Sequence, residues 1–136
     1  MPVDPSLVGR EFPAPAPLTV TSERVGAFAA SVGHPVPPGA AEVVPPTFPI
    51  VLAFDAMNAF LEAEGIDLSR IVHGDQGFRY DRPVRIGDRL VATLQVASAR
   101  RVRDMDIIGT SSEIADADGE RVCTATATLI HRGGEQ

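Results

Sequence analysis

Eleven of the chain's 12 prolines fall before residue 50, and only Pro83 lies beyond. Proline lacks a backbone N–H, has a fixed φ, and pushes the preceding residue out of helical geometry. The first third therefore supplies neither central strands nor one long helix, and regular structure must be concentrated in the later two thirds. At 136 residues the chain has length for one domain, 1–136, with a single core. Its 44% hydrophobic and 22% charged residues are those of a folded globular chain.

Several chemistries are excluded at once. All 12 basic residues are Arg and none is Lys, which removes Schiff-base lysine chemistry and any P-loop. A net charge of −6 is the wrong sign for a domain that neutralises phosphates, so no nucleic-acid partner is expected. No apolar run reaches the ~18–20 residues that span a bilayer, and no basic stretch precedes an apolar one at the N-terminus. The expectation is a cytoplasmic chain with no membrane partner. Cys123 is the only cysteine, so neither an internal disulfide nor a cysteine-built zinc site can form, and no metal site is expected.

Residues 1–20 read as an extended lead-in containing the Pro13–Pro17 alternation with alanine. A first helix follows, capped by Thr21 or Ser22, carrying Val25, Phe28, Ala29 and Val32 at helical spacing and stopped by Gly33. His34 to Pro49 holds six prolines and reads as a loop. A second helical pattern begins near Ile50, with its centre at about 53–64 and Gly65 as its end. Strands come next: Val72 to Tyr80, interrupted by Gly74 and Gly77; Leu90 to Val96; Asp106 to Ala115; and Arg121 to His131 after the Asp116–Glu120 turn. The order predicts an α+β fold, an antiparallel sheet wrapped around a central helix at about 53–64, with a proline-rich N-terminal third.

The runs Pro45-Pro46-Thr47-Phe48-Pro49, Val72-His73-Gly74-Asp75-Gln76 and Arg82-Pro83-Val84-Arg85-Ile86-Gly87-Asp88 together resemble the MaoC-like dehydratase N-terminal family. Leu7-Val8-Gly9-Arg10 and Cys123-Thr124-Ala125 extend the likeness over almost the whole chain. The resemblance implies a single hot-dog domain. It also implies a component of an (R)-3-hydroxyacyl-thioester dehydratase or enoyl hydratase, with the substrate carried on coenzyme A or phosphopantetheine and no further cofactor. Active relatives carry Asp-x-Asn-Pro-x-His after the first helix, an acid and base pair. Here the matching stretch is Gly33-His34-Pro35-Val36-Pro37-Pro38, so His34 stands at the Asp position and the later His is absent. The resemblance thus implies the subunit that lacks the Asp/His dyad, a hydro-lyase component with a degenerate site. Its partners would be an acyl thioester, a second copy or a catalytic MaoC-like subunit, and an acyl carrier protein.

The candidate catalytic residues are His34, His73 and Asp75; the candidate substrate-binding residues are Pro46, Thr47, Phe48, Phe54 and Gln76. Strand alternation puts His73 and Asp75 on one face and Gln76 on the other, unless a bulge at Gly74 alters the register. Backbone N–H groups near the start of the central helix are the expected donors to a thioester carbonyl. Asp88 reads as a turn residue, and Cys123 as a small buried hydrophobe. Seven arginines between Arg79 and Arg103 form either a solvated strand face or a basic patch for an acidic carrier. The alternative function is a self-sufficient homodimeric thioesterase or acyl-thioester binding module, with Asp55 or Asn58 activating water.

Overall fold

The computed structural model describes residues 5–33 and 44–132. Helix α1 (Ser22–Ser31) starts where the capping signal places it, with the Thr21 hydroxyl accepting the Arg24 N–H at 3.1 Å. It ends as Gly33 turns into the left-handed region at φ 85°. Helix α2 (Ile50–Ala63) begins about a turn before its expected centre, directly after Pro49, whose φ of −60° is already helical. Its C-terminus closes with two bonds, from Gly65 N–H to Glu62 C=O and from Ile66 N–H to Leu61 C=O. This closure needs the positive φ that glycine supplies at position 65.

The six strands are β1 (Glu11–Pro13), β2 (Leu18–Thr19), β3 (Ile71–Tyr80), β4 (Arg89–Val102), β5 (Met105–Ala115) and β6 (Arg121–Arg132). They form one antiparallel sheet in the order β1–β4–β5–β6–β3, with β2 also pairing β4. Two details differ from the sequence reading. The lead-in is not merely extended: Glu11–Pro13 and Leu18–Thr19 bond to β4 as short edge strands, a place where proline's missing donor is tolerated. Strand β4 also runs six residues past Val96, because a bulge at Ala97 lets pairing resume at Ser98 opposite Gly109. The Asp-Gly hairpin stands as read, with Gly119 at φ 82° and Asp116 accepting the N–H groups of Asp118 and Glu120.

Helix α2 lies against the concave face of the sheet and buries Leu52, Ala53, Ala56, Met57, Phe60 and Leu61. Phe60 is fully buried and meets Phe12 of β1 with ring centroids 4.9 Å apart. Full burial of such a side chain contributes about 1.5–3 kcal/mol, and the ring pair adds about 0.5–1.5. Side chains cross the concave face in rows. One row runs His73, Leu129, Ile108, Ala99; the next Gln76, Ala127, Thr110, Val96; the next Phe78, Ala125, Ser112, Leu94. The β3 bulge between His73 and Asp75 and the β4 bulge at Ala97 both fall between the first and second of these rows. Both outer long strands therefore bend at one level, which curls the sheet around α2.

Candidate functional site

The bulge at Gly74 decides which side chains share a wall. Gly74 drops out of the pairing with β6, so His73 and Gln76, rather than His73 and Asp75, face α2 together. His73 Nε2 lies 2.9 Å from Gln76 Oε1. The Gln76 amide N–H points to the Gly77 carbonyl at 3.3 Å, which leaves its oxygen to accept from the ring. With Nε2–H donating, Nδ1 is the ring's remaining acceptor. Asp75 is exposed and, by alternation, points to the convex face, so it is no partner to His73.

A cleft lies between this pair and α2. Its helix wall is apolar, made by Ile50, Ala53, Phe54 and Met57. Across from it stand His73 and Gln76, and the floor is made by Leu94, Thr110, Ser112, Ala125 and Ala127. The enclosed volume is about 10 Å³, room for roughly one water molecule. Phe54, one of the residues proposed from sequence, is 41% exposed and lines the cleft. Among the described residues lining the cleft, His73 is the only ionisable one.

The remaining expected site residues are elsewhere. Phe48 is 1% exposed and packs edge-on against Phe28, with centroids 5.6 Å apart; it is a core residue, because the turn after Pro45–Pro46 folds it inward. Thr47 is exposed outside the cleft. Pro46 borders a separate groove, where its carbonyl accepts the Tyr80 hydroxyl. That phenol is pushed up to about 12, first by burial and then by proximity to Cys123, so it holds its proton as a fixed donor. His34 lies outside the described residues.

The start of α2 differs from expectation too. The N–H groups of Ile50, Val51 and Leu52 are bonded to the carbonyls of Thr47, Phe48 and Pro49 at 3.1 Å each. A tight turn leading into the helix consumes the donors that would otherwise polarise a carbonyl. Asp55 and Asn58, the residues a thioesterase would use, border a groove with Pro15 and Glu62 and do not line the cleft.

The arginine cluster divides into separate groups. Arg82 spans Asp88 through both terminal nitrogens at 2.9 and 3.1 Å and reaches Asp116 at 3.2 Å. Partial burial works against charge on Asp88, yet hydrogen bonds from Arg82 and from the Arg85 N–H outweigh it and hold its pKa below 3.8. Asp88 is thus the expected turn acceptor and an ion-pair anchor as well. Arg101 pairs with the buried Asp106, which also faces His131 at 3.4 Å. Arg89 and Arg100 lie 11 residues apart on β4, about 36 Å at ~3.3 Å per residue, and β5 and β6 separate both from Arg79. The seven arginines do not form one patch. Cys123 is buried, and its thiol is pushed up to about 11 by that burial and by the charge of Asp81, as befits an inert core residue.

Thr110 and Ser112 escaped the sequence reading. A signal was available: they share the parity of Ile108 and Ile114, the inward aliphatic positions of β5.

Residues 6–125 match the family profile described as the FAS1-like, dehydratase domain region. A UPF0336 protein of Clavibacter michiganensis is 43% identical over 148 residues, covering 99% of both chains. A UPF0336 protein of Streptomyces avermitilis is 38% identical over 149 residues, covering 100% of this chain and 99% of that one. Since 149 exceeds the length of this chain, that relative carries residues that are missing here. Among solved structures, the truncated HadBC (3R-hydroxyacyl-ACP dehydratase) complex of Mycobacterium tuberculosis superposes with a TM-score of 0.78 at 28% identity, covering 96% of this chain and 99% of that one. A MaoC-like dehydratase of Rhodospirillum rubrum shares the fold, with a TM-score of 0.66 at 20% identity over 95% of this chain and 94% of that one. The single helix-wrapping sheet is thus the hot-dog fold.

Proposed function

Because the chain belongs to the UPF0336 proteins and to the FAS1-like dehydratase region family, we propose that it is the helper half of an (R)-3-hydroxyacyl-thioester dehydratase. It would hold the acyl group while a second hot-dog chain supplies the acid and base. The observation that carries this reading is the cleft, apolar on its helix wall and bearing His73 as its one ionisable residue among those described. Eliminating water from a 3-hydroxyacyl thioester requires a base to take the C2 proton and an acid to protonate the departing C3 hydroxyl. One imidazole bonded to a neutral amide supplies half of that pair, whereas a partner's Asp and His would supply both. The substrate would arrive on coenzyme A or on the phosphopantetheine of a carrier protein.

The open edge of β3 suits such a partner. Among the described strands β3 bonds only to β6, leaving the backbone groups of Ile71–Tyr80 free along the other side. Val72 and Phe54, 42% and 41% exposed, add apolar surface. An unpaired edge of this length is covered in stable proteins, and a second sheet edge covers it best. HadBC, a complex of similar fold, supports pairing with a non-identical chain.

The decisive experiment assays hydration of a short enoyl thioester by the chain alone and by whatever chain co-purifies with it. The chain alone should show no turnover and the pair should be active. Turnover by the isolated chain, reduced a hundredfold or more in His73→Ala, would overturn the helper role and make His73 a catalytic residue.

A further inference from the structure

One end of the sheet carries positive charge that the fold leaves unpaired. Arg100, Arg103 and Arg132 are exposed there and form no ion pair among the described residues, in a chain whose net charge is −6. The strand register brings them together. Arg100 pairs with Ile107 and Ile107 with Ile130, while one step further along the strands Met105 pairs with Arg132. Since Ile108 lies on the concave face, alternation puts Met105 and Ile107, with Arg100, Ile130 and Arg132 beside them, on the convex face. Arg103 occupies the two-residue hairpin between the paired Val102 and Met105, and it is the only non-glycine residue with positive φ, 60°, among those described. Glycine is the residue such a turn ordinarily takes. An arginine held in the left-handed region sacrifices backbone stability, and outliers of this kind mark positions whose side chains are used. Of the nearby carboxylates, Asp106 is buried against Arg101 and Asp67 accepts from Ser69, which leaves Asp104 in the turn as the one opposing charge not already engaged.

We infer that this end of the convex face is a docking surface for an acidic amphipathic helix of a partner protein, with its carboxylates on Arg100, Arg103 and Arg132 and its apolar side on Met105, Ile107 and Ile130. The inference stands apart from the acyl-thioester reading, whose cleft lies on the opposite face of the sheet. The dimensions suit one helix: β4 to β6 span roughly 10 Å at ~4.8 Å per strand, about the width of a helix with its side chains. Met105, Ile107 and Ile130 are partly exposed, and covering them removes apolar surface from water. Arginine serves such a rim because its planar fork takes a carboxylate at two points and its stem packs on apolar neighbours. A nucleic-acid duplex or an anionic bilayer is wider than the patch and would also meet the negative remainder of the chain. A single helix would lie on the patch alone, within the ~8–10 Å over which charges act on one another at ordinary salt.

The test is fluorescence anisotropy of the full chain with a labelled helical peptide that bears leucine on one face and glutamate on the other. The wild-type chain should bind it in low salt, and raising NaCl from about 20 to about 200 mM should weaken binding about tenfold. The double variant Arg100→Glu with Arg132→Glu should also weaken it about tenfold, whereas Arg89→Glu, at the opposite end of β4, should change it less than about twofold. Ile107→Thr should cost about threefold through lost apolar contact. Arg103→Gly should weaken binding while raising the melting temperature, because glycine takes a φ of 60° without strain. A purely structural arginine would instead lower the melting temperature and leave binding unchanged, and that result overturns the role given to Arg103. No binding of the peptide in low salt, an equal loss in Arg89→Glu, or tighter binding to phosphatidylglycerol vesicles or duplex DNA than to the peptide overturns the inference as a whole.

Discussion

Two polar segments, His73–Gln76 and Arg82–Asp88, carry the chain's most recognisable motifs, and they have opposite fates. In the second, the two charges at its ends are spent within the fold: Arg82 is engaged by two carboxylates and Asp88 by a guanidinium and a backbone N–H. In the first, one hydrogen bond joins His73 to Gln76, and the remaining ring nitrogen has no partner among the described residues. The more strongly charged motif is scaffold, and the weaker one faces the cleft. Density of charge is thus a poor guide to a site; unspent hydrogen-bonding capacity beside a cavity is a better one.

Three substitutions test that contrast, and a fourth, Gly109→Ala, tests the packing beside the β4 bulge. Arg82→Ala should have the largest effect on the fold, lowering the melting temperature by about 5 °C because two carboxylates lose their shared cation. Thioester binding by the folded fraction should not change, and a specific loss of binding would move Arg82 into the site. Gly109→Ala should cost about 1 kcal/mol, since an added Cβ would stand 2.4 Å from Ser98 Oγ beside the β4 bulge. Adding Ser98→Ala should restore most of that loss in denaturant melts; no rescue would mean that the backbone rather than the hydroxyl sets the limit.

The Asp88→Asn difference should be pH-dependent. The folded carboxyl titrates below its ordinary 3.8, so its contribution is present above that value and fades as pH falls through the folded pKa. Melting curves of wild type and Asp88→Asn should therefore converge only in strong acid, and a gap that stayed constant down to pH 2 would assign the effect to packing. His73→Ala should have the smallest effect on the fold, within about 1 °C, because the ring is exposed. It should weaken thioester binding about fivefold, the loss of a single hydrogen-bonding group. A stability loss as large as that of Arg82→Ala would erase the distinction between the two segments.

Much of the architecture was legible because local signals agreed with tertiary structure. Thr21, Gly33, Gly65 and the Asp116–Gly119 turn mark element ends through backbone chemistry that needs no partner from elsewhere in the chain. The site was less legible because it depends on register. Counting alternate residues from Gln76 puts His73 on the wrong face unless Gly74 is taken out of the count, and glycine alone does not announce that it is bulged. Phe48 misled for a related reason: it stands in a run of prolines that reads as loop, and its burial comes from core packing, Phe28 included, that the local sequence does not show. The lead-in strands were hidden because β1 and β2 owe their form to β4, about 80 residues away in sequence.

The bulge at Gly74 also separates two properties that a strand ordinarily couples. Ile71, His73, Gln76 and Phe78 keep their side of the sheet whether Gly74 is present or excised, since regular alternation through Asp75 returns the same faces. What the glycine alters is the bend, together with the spacing between imidazole and amide. Length variation at this one position would leave the composition of the wall intact while opening or tightening its curve. Deleting this one residue would therefore alter the curve of the cleft without changing which side chains line it.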